Sequence, residues 1–371
     1  MPRRDTDQPG ARVPRPPTIA DVAAAAGVSR SAVSRSFTEG ASAAPGTRAK
    51  VLAAAASLGY RPSAIARSLT TRRSHLVAVS TVRLENGFNA SLLQALALGL
   101  DAIGLRTLLF PIAGTSADAD PSLDEILRHR VDAVALLATR LSSRFSAQCA
   151  SAGVPVVLIN RTARDGATSS VTGDNVGGAR RIAEFLVAGG HRRFAFLAGV
   201  EDSSNSRDRE RGFADALREA GGPAPLRAAG RFDRVASSKA VRRMLAAPEP
   251  PDALFCANDH MALAAIDVAR REFNLAVGHQ ISIVGFDDAP TAALSGIDLT
   301  SFSQPPEAMA GRAVAALAAV LADPARPAVH ETVAGELVVR GSARLPAAGL
   351  ATTTDGRRLW VGGAVSSFRA P

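Results

Sequence analysis

The sequence predicts two unlike parts: an all-α helix-turn-helix unit near the N-terminus and an α/β core of two parallel-sheet lobes. Three observations carry this. Residues 18–61 hold three short amphipathic helical patterns, two of them joined at a glycine. From Leu76 the chain alternates apolar strand patterns with helical ones, the signature of parallel sheets covered on both faces. Roughly 270 residues of such alternation exceed one ordinary domain.

Thr18 and Asp21 have capping-box spacing, and Ile19, Val22, Ala23 and Ala26 fall on one helical stripe. Gly27 ends that helix and permits a tight turn. Ser29 suits the N-cap of a second helix, whose inner face is Val33 and Phe37. A third apolar helix carries Val51, Leu52, Ala55 and Leu58. Two short helices meeting at a glycine, with a third to bury them, make a helix-turn-helix. Pro62 then steers Arg61 away from helix and suits the first turn of a new one. Residues 63–69 are too short for a stable isolated helix, so that segment folds only when packed or bound.

Charge is placed unevenly. The chain of 371 residues carries a net +9, and residues 1–74 alone hold twelve Arg or Lys against four Asp or Glu. The basic end suits a polyanionic partner. Hydrophobic residues make up 47% and aromatics 4%, so the core is large and aliphatic. The two cysteines, Cys149 and Cys256, show no pairing pattern, which points to a reducing, cytoplasmic setting. Met1 to Pro17 lacks the apolar run of a secretory signal, and no stretch is long and apolar enough to span a membrane.

In the core, strands are expected at Leu76–Ser80, Thr107–Phe110, Ala133–Leu137, Val154–Ile159, Phe194–Leu197, Ala253–Cys256 and Ile281–Phe286. Helices are expected at Ser91–Leu100, Asn175–Val187, Arg207–Ala220 and Met261–Phe273. Ligands of open α/β sheets bind beyond strand C-termini, and Thr81, Thr139, Asn160, Asn258 and Asp287 sit at such ends. Plain alternatives stand beside that reading. Asn258 and Asp259 can cap the next helix, Asp287 can occupy a turn, and Arg209 can belong to a solvated helix start.

Catalytic patterns are missing from the sequence. The six histidines show no metal-ligand spacing, neither lysine follows a glycine as in a phosphate loop, and no Gly-x-Ser-x-Gly occurs. Asp287 and Asp288 are adjacent at a strand end, so their side chains diverge. No catalytic residue, metal or cofactor is expected.

Certain motifs carry a resemblance. Asp21-Val22-Ala23, Ala26-Gly27-Val28-Ser29, Val33-Ser34-Arg35 and Leu58-Gly59-Tyr60-Arg61-Pro62 resemble the headpiece of the lactose/galactose repressor (LacI/GalR) family, and 63–69 resembles its hinge helix. Val154 to Asn160, Gly190-His191-Arg192-Arg193, Cys256-Ala257-Asn258-Asp259, Val284 to Asp288 and Val338 to Ser342 resemble its periplasmic-binding-protein-like core. The resemblance implies a dimeric DNA-binding transcription regulator, a repressor in the first instance, on a pseudo-palindromic double-stranded operator. It implies a small polar, sugar-like effector between the lobes. An activator or dual regulator, a sugar-binding transport protein and a sugar-modifying enzyme are the alternatives.

By matching positions, DNA contacts are implied for Thr18, Ser29, Arg30, Ser31, Ala32, Ser34, Arg35, Ser63, Ala66, Arg67 and Leu69. Arg30 either donates two hydrogen bonds to a guanine or holds a phosphate. Leu69 matches the leucine that wedges into the minor groove. Ala32 and Thr38 replace residues that are usually Thr and often Asn. Effector contacts are implied for Asn86, Phe88, Thr139, Asn160, Arg209, Phe232, Asn258, Asp287 and Gln304, with Gly87 standing where Pro is common. The expected organisation is a disordered arm at 1–17, the helix-turn-helix at 18–61, a hinge helix and linker at 62–74, the two-lobed core at 75–345 and a disordered tail at 346–371.

Overall fold

The computed structural model describes residues 15–38, 41–62, 73–112, 123–139, 141–163 and 166–362. Residues 1–14 of the expected arm lie outside them. So does the expected hinge helix, with Ser63, Ala66, Arg67 and Leu69. The chain divides into two compact units, 1–74 and 75–371.

The first unit contains α1 (Ile19–Ala26), α2 (Arg30–Ser36) and α3 (Pro45–Leu58). Asp21 reaches back to the Thr18 amide at 2.7 Å, and the Thr18 hydroxyl donates to the same carboxylate oxygen at 2.7 Å. Gly27 adopts the left-handed φ of 66° that ends α1, which a side chain would disfavour. Ser29 accepts from the Ala32 amide at 3.2 Å and so starts α2. Val22, Ala23, Val33, Val51 and Ala55 form the core, with Phe37 and Tyr60 packed beside it. The expected inner face of α3 is corrected at two positions: Leu52 and Leu58 are 45% and 39% exposed, because Val51 and Ala55 are the residues that turn inward to meet α1 and α2.

The second unit has two sheets. Its first lobe contains β1 (Leu76–Thr81), α4 (Gly87–Ala102), β2 (Arg106–Pro111), α5 (Leu123–Arg128), β3 (Ala133–Leu137), α6 (Ser143–Ser151), β4 (Val156–Ile159) and β5 (Ser170–Gly173). The second contains α7 (Asn175–Ala188), β6 (Phe194–Ala198), α8 (Ser204–Glu219), β7 (Leu226–Ala229), α9 (Arg234–Leu245), β8 (Ala253–Cys256), α10 (Asp259–Arg271), β9 (Ser282–Asp287) and β10 (Thr300–Ser303). The chain then returns to the first lobe with α11 (Pro306–Ala322) and β11 (His330–Val333). It ends on the second with β12 (Leu337–Val338), β13 (Leu350–Thr352) and β14 (Arg358–Trp360).

The first sheet runs β11-β5-β4-β3-β1-β2, and every pairing in it is parallel. The second runs β13-β14-β12-β10-β9-β8-β6-β7. Its β6 to β10 are parallel neighbours, as expected, and β12, β13 and β14 add an antiparallel edge. Both sheets bury aliphatic faces under helices: Leu92, Leu96 and Leu100 of α4 with Met309 and Leu317 of α11 cover the first. A tighter seam joins α7 and α8, where a Cβ at Gly212 would collide with the Val176 carbonyl. Three segments connect the lobes, at 173–175, 303–306 and 333–337.

The expected disordered tail is corrected over 346–362, and its last residues, 363–371, lie outside the described residues. Residues 350–360 form a hairpin that extends the second sheet through β12. Trp360 is 1% exposed and stacks edge-on to Phe185 of α7, with ring centroids 5.7 Å apart. The reason is burial: β14 pairs along the β12 edge, and the Trp360 indole anchors it in the second lobe's core. No helix among the described residues is long and apolar enough to cross a membrane. Trp360→Ala should therefore destabilise the core by roughly 3–5 kcal/mol. Urea unfolding followed by far-ultraviolet circular dichroism measures this, and an unchanged midpoint would mean that the hairpin is an accessory.

Candidate ligand cleft and nucleic-acid interface

The C-terminal ends of β4, β3 and β1 in one lobe and of β10, β9, β8, β6 and β7 in the other carry the residues singled out above. Arg209 is central. It sits on α8, 1% exposed, which excludes the solvated-helix alternative. Its Nε donates to Asn175 Oδ1 at 2.8 Å, and Nη1 donates to the Ala257 carbonyl and lies 3.4 Å from Asp287 Oδ1. The guanidinium carbon stands 3.7 Å from the Phe286 ring centroid, a cation–π contact.

Asp287 gathers the other groups. Gln304 Nε2 donates to Oδ1 at 2.7 Å, and Asn86 Nδ2 from the first lobe donates to Oδ2 at 3.5 Å. Burial pushes the Asp287 carboxyl up to about 6, opposed by Arg209, Gln304 and Asn86. Behind it, Asp259 accepts from the Ser301 hydroxyl at 2.6 Å and the Ala289 amide at 2.7 Å. Burial and the nearby Asp287 charge raise Asp259 well above the usual carboxylate range. The same burial lowers Arg209 to about 10, against the pull of Asp287 and Asp259. Asp288 turns away to Arg340, 2.7 Å from its Nη1, so the two adjacent aspartates do diverge.

Among the described residues three hydrogen bonds cross between lobes: Asn86 to Asp287, Arg83 Nη1 to the Phe232 carbonyl at 3.2 Å, and the Thr162 amide to Ser204 Oγ at 3.1 Å. Strain concentrates here. Arg83, Ala138, Asn160, Phe232 and Asp287 all take positive φ, Asp287 at 116°. Non-glycine residues do so at a cost, and such residues cluster at ligand sites. Polar atoms are also left over. Nine buried side-chain polar atoms among the described residues make no hydrogen bond, and five lie on this cleft: Thr139 Oγ1, Asn160 Oδ1, Arg161 Nε, Arg209 Nη2 and Gln304 Oε1. An unpaired buried polar atom costs about 1–3 kcal/mol, so their concentration at one place is the mark of a ligand site.

Two expected residues act otherwise. Phe88 is buried in the first lobe's aliphatic cluster, and its amide donates to Asn86 Oδ1 at 3.1 Å; it positions Asn86 and packs the core. Asn258 Oδ1 accepts from the Met261 amide at 3.0 Å, which makes it the N-cap of α10. Sequence reasoning missed Arg161 and Asn175. Arg161 immediately follows Asn160 at a strand end, and its guanidinium lies 6.0 Å from the Phe232 ring centroid. Asn175 opens α7 and holds Arg209.

In the other unit, Ser29, Arg30, Ser31, Ser34 and Arg35 form an exposed face of α2, with Ala32 half-buried. Thr18 is half-buried and occupied in capping α1. One arrangement imitates catalytic machinery: His191 Nε2 lies 2.8 Å from Ser282 Oγ, and its Nδ1 3.5 Å from Asp252. Ser282 is wholly buried and accepts from the Arg344 amide at 2.8 Å, so no substrate reaches it.

A two-lobed α/β core with a polar cleft, attached to a helix-turn-helix unit whose second helix is exposed, defines a ligand-responsive DNA-binding regulator. The family model "Bacterial regulatory proteins, lacI family" matches residues 18–63, and "Periplasmic binding protein-like domain" matches 183–343. The HTH-type transcriptional regulator CelR of Thermobifida fusca is 34% identical over 315 residues, covering 82% of this chain and 91% of CelR. The solved CelR–cellobiose complex is similar with a TM-score of 0.66 and 30% identity, covering 88% of this chain and 100% of that one. The lac repressor dimer bound to operator and the anti-inducer ONPF is similar with a TM-score of 0.77 and 27% identity, covering 88% and 99%. The chain belongs to the LacI family of bacterial transcription regulators.

The coupled acids set a pH dependence. Asp287 ionises near 3.8 when unfolded and near 6 when folded, so the native state holds its proton more tightly. Its contribution to stability therefore falls as pH rises from about 4 to about 6. Asp287→Asn lacks this contribution. The difference between wild-type and variant unfolding free energies, from urea melts between pH 4 and 7, should shift against the wild type across that window.

Proposed function

We propose that this chain is a repressor that binds a pseudo-palindromic operator as a homodimer and is controlled by a small polar, sugar-like metabolite held between the core lobes. One observation carries the ligand part: five unpaired buried polar atoms converge on a strained, Arg- and Asp-lined cleft. The cellobiose bound by CelR and the ONPF bound by lac repressor support a sugar-like ligand here. The exposed α2 face and the net +8 of residues 1–74 support DNA binding, and the lac repressor dimer supports pairing. The chain then acts in the cytoplasm, where its operator is. Arg30 reads a base edge at the start of α2. Asn86, Thr139, Asn160, Arg209, Phe232, Asp287 and Gln304 line the ligand, with Asn258 capping beside them.

In vitro selection from random duplex DNA should enrich a pseudo-palindrome, with affinity falling steeply as salt rises. Arg30→Ala should relax preference at one symmetric pair of positions and cost about 1–3 kcal/mol for each bidentate hydrogen-bonded pair it removes. No enriched motif would overturn the DNA reading.

Ligand control has its own check. Compounds that raise the melting temperature in a screen of sugars, sugar acids and nucleosides should change operator affinity, with a reciprocal coupling of about 1–3 kcal/mol. Arg209→Ala should abolish the ligand-induced shift and spare basal operator binding. A variant that still binds ligand normally would remove Arg209 from the site.

A further inference from the structure

The cleft's charges narrow the class of ligand. Arg161 lies within electrostatic reach of Arg83, Arg207 and Arg209, and Asp202 is the acid that answers it. Arg209 has Asp287 as its counter-ion. Asp259 spends its oxygens on Ser301 and Ala289. Three of the charged groups acting on Arg161 are thus guanidiniums, and one is a carboxylate. Burial and the neighbouring guanidiniums push the Arg161 pKa down to about 10, the behaviour of a charge whose counter-ion is inadequate.

A cavity of about 150 Å³ opens beside Arg161. Arg161 and Thr162 of the first lobe and Asp202 and Arg207 of the second line it, together with Ser143 and Ser146. Its walls include the first turns of α6 and α8, whose N-caps are Ser142 and Ser203. Helix N-termini present amide donors and partial positive charge. Arg161 Nε is inaccessible to solvent and has no acceptor. Two guanidiniums, hydroxyls and two helix starts thus surround one small space, and Asp202 is the one carboxylate among the described residues that line it.

We propose, resting on the interlobe-cleft reading, that the effector is an acidic sugar-like molecule whose carboxylate occupies this cavity between Arg161 and Arg207. Its hydroxylated body lies against Asn86, Arg209 and Asp287. Asp202 sets the charge. Two guanidiniums less one carboxylate favour a monoanion and oppose the second charge of a phosphate. Because Arg161 belongs to one lobe and Arg207 to the other, a bound carboxylate bridges them beside the Thr162–Ser204 hydrogen bond.

The test uses the full-length protein and matched sets: hexoses and pentoses, each with its uronic acid, aldonic acid and phosphate ester. Thermal shift selects binders, and isothermal titration ranks them. A carboxylate member should bind at least about tenfold tighter than its neutral parent. Arg161→Gln and Arg207→Gln should each weaken the acid by about 10- to 100-fold, the scale on which a charge-assisted hydrogen bond acts, and a larger loss than either causes for the neutral parent. Arg207 is exposed, so its variant keeps the fold and separates ligand loss from misfolding. Equal binding of parent and acid overturns the carboxylate assignment and leaves the cleft reading standing. A phosphate ester that binds more tightly than the carboxylate overturns the monoanion assignment. A panel with no binder at all overturns the cleft reading with it.

Discussion

The buried pair of Arg209 and Asp287 is the constraint on which the cleft depends. Two charges removed from water cost several kcal/mol each, and mutual attraction offsets this only when hydrogen bonds satisfy the remaining donors and acceptors. The surrounding residues supply them from scattered places. Asn175 stands where the chain crosses from the first lobe, Gln304 where it crosses back, Ala257 at the end of β8, and Asn86 on the opposite lobe. Satisfying one ion pair thus fixes two interlobe crossings and two strand ends. Even so, Arg209 Nη2 and Gln304 Oε1 remain unpaired. A core built for stability alone would hold apolar side chains of the same volume, so the pair is better explained by what it presents to a ligand.

Backbone strain follows from the same demand. Asp287 cannot meet Arg209, Gln304 and Asn86 from a relaxed strand end, and it sits at φ 116°. Phe232, at φ 54°, turns its carbonyl to Arg83 and sets its ring beside Arg161. These bends lie at the end of β9 and in the loop after β7, while the sheets beneath are regular. Rigid sheets and strained loops divide the labour: the sheets hold positions, and the loops aim side chains.

Much of this was legible in the sequence, and what was not had physical reasons. Buried parallel strands such as Ala133–Leu137 read as continuous apolar runs, and polar residues at their ends marked the cleft. Strands β5 and β10 escaped because Ser170 to Gly173 and Thr300 to Ser303 are mostly small and polar, paired on both sides by tertiary context. The hairpin of β13 and β14 escaped because its turn text is rich in Thr, Gly and Ala, and a single Trp anchors it. Arg209 lay in a run of alternating charges that reads as a solvated helix face; only the resemblance placed it inside. Arg161 gave the opposite lesson. A basic residue one position past a strand end carries no periodic signal, and its importance appears only when Ser143, Asp202 and Arg207 arrive from elsewhere in the chain.

The placement of ligand groups on both lobes decides whether binding can be felt elsewhere. A ligand shifts a conformational equilibrium only by its difference in affinity between the two states. Contacts confined to Arg209, Phe232 and Asp287 would be equally good with the lobes open or closed, and would change nothing. Asn86, Thr139, Asn160 and Arg161 belong to the other sheet's strand ends, so a molecule touching both sets prefers the closed arrangement. Among the described residues three hydrogen bonds and the Arg161–Phe232 contact cross the cleft directly. Three segments of the chain cross between the lobes. Only a ligand that bridges the two sets would bind the two arrangements differently.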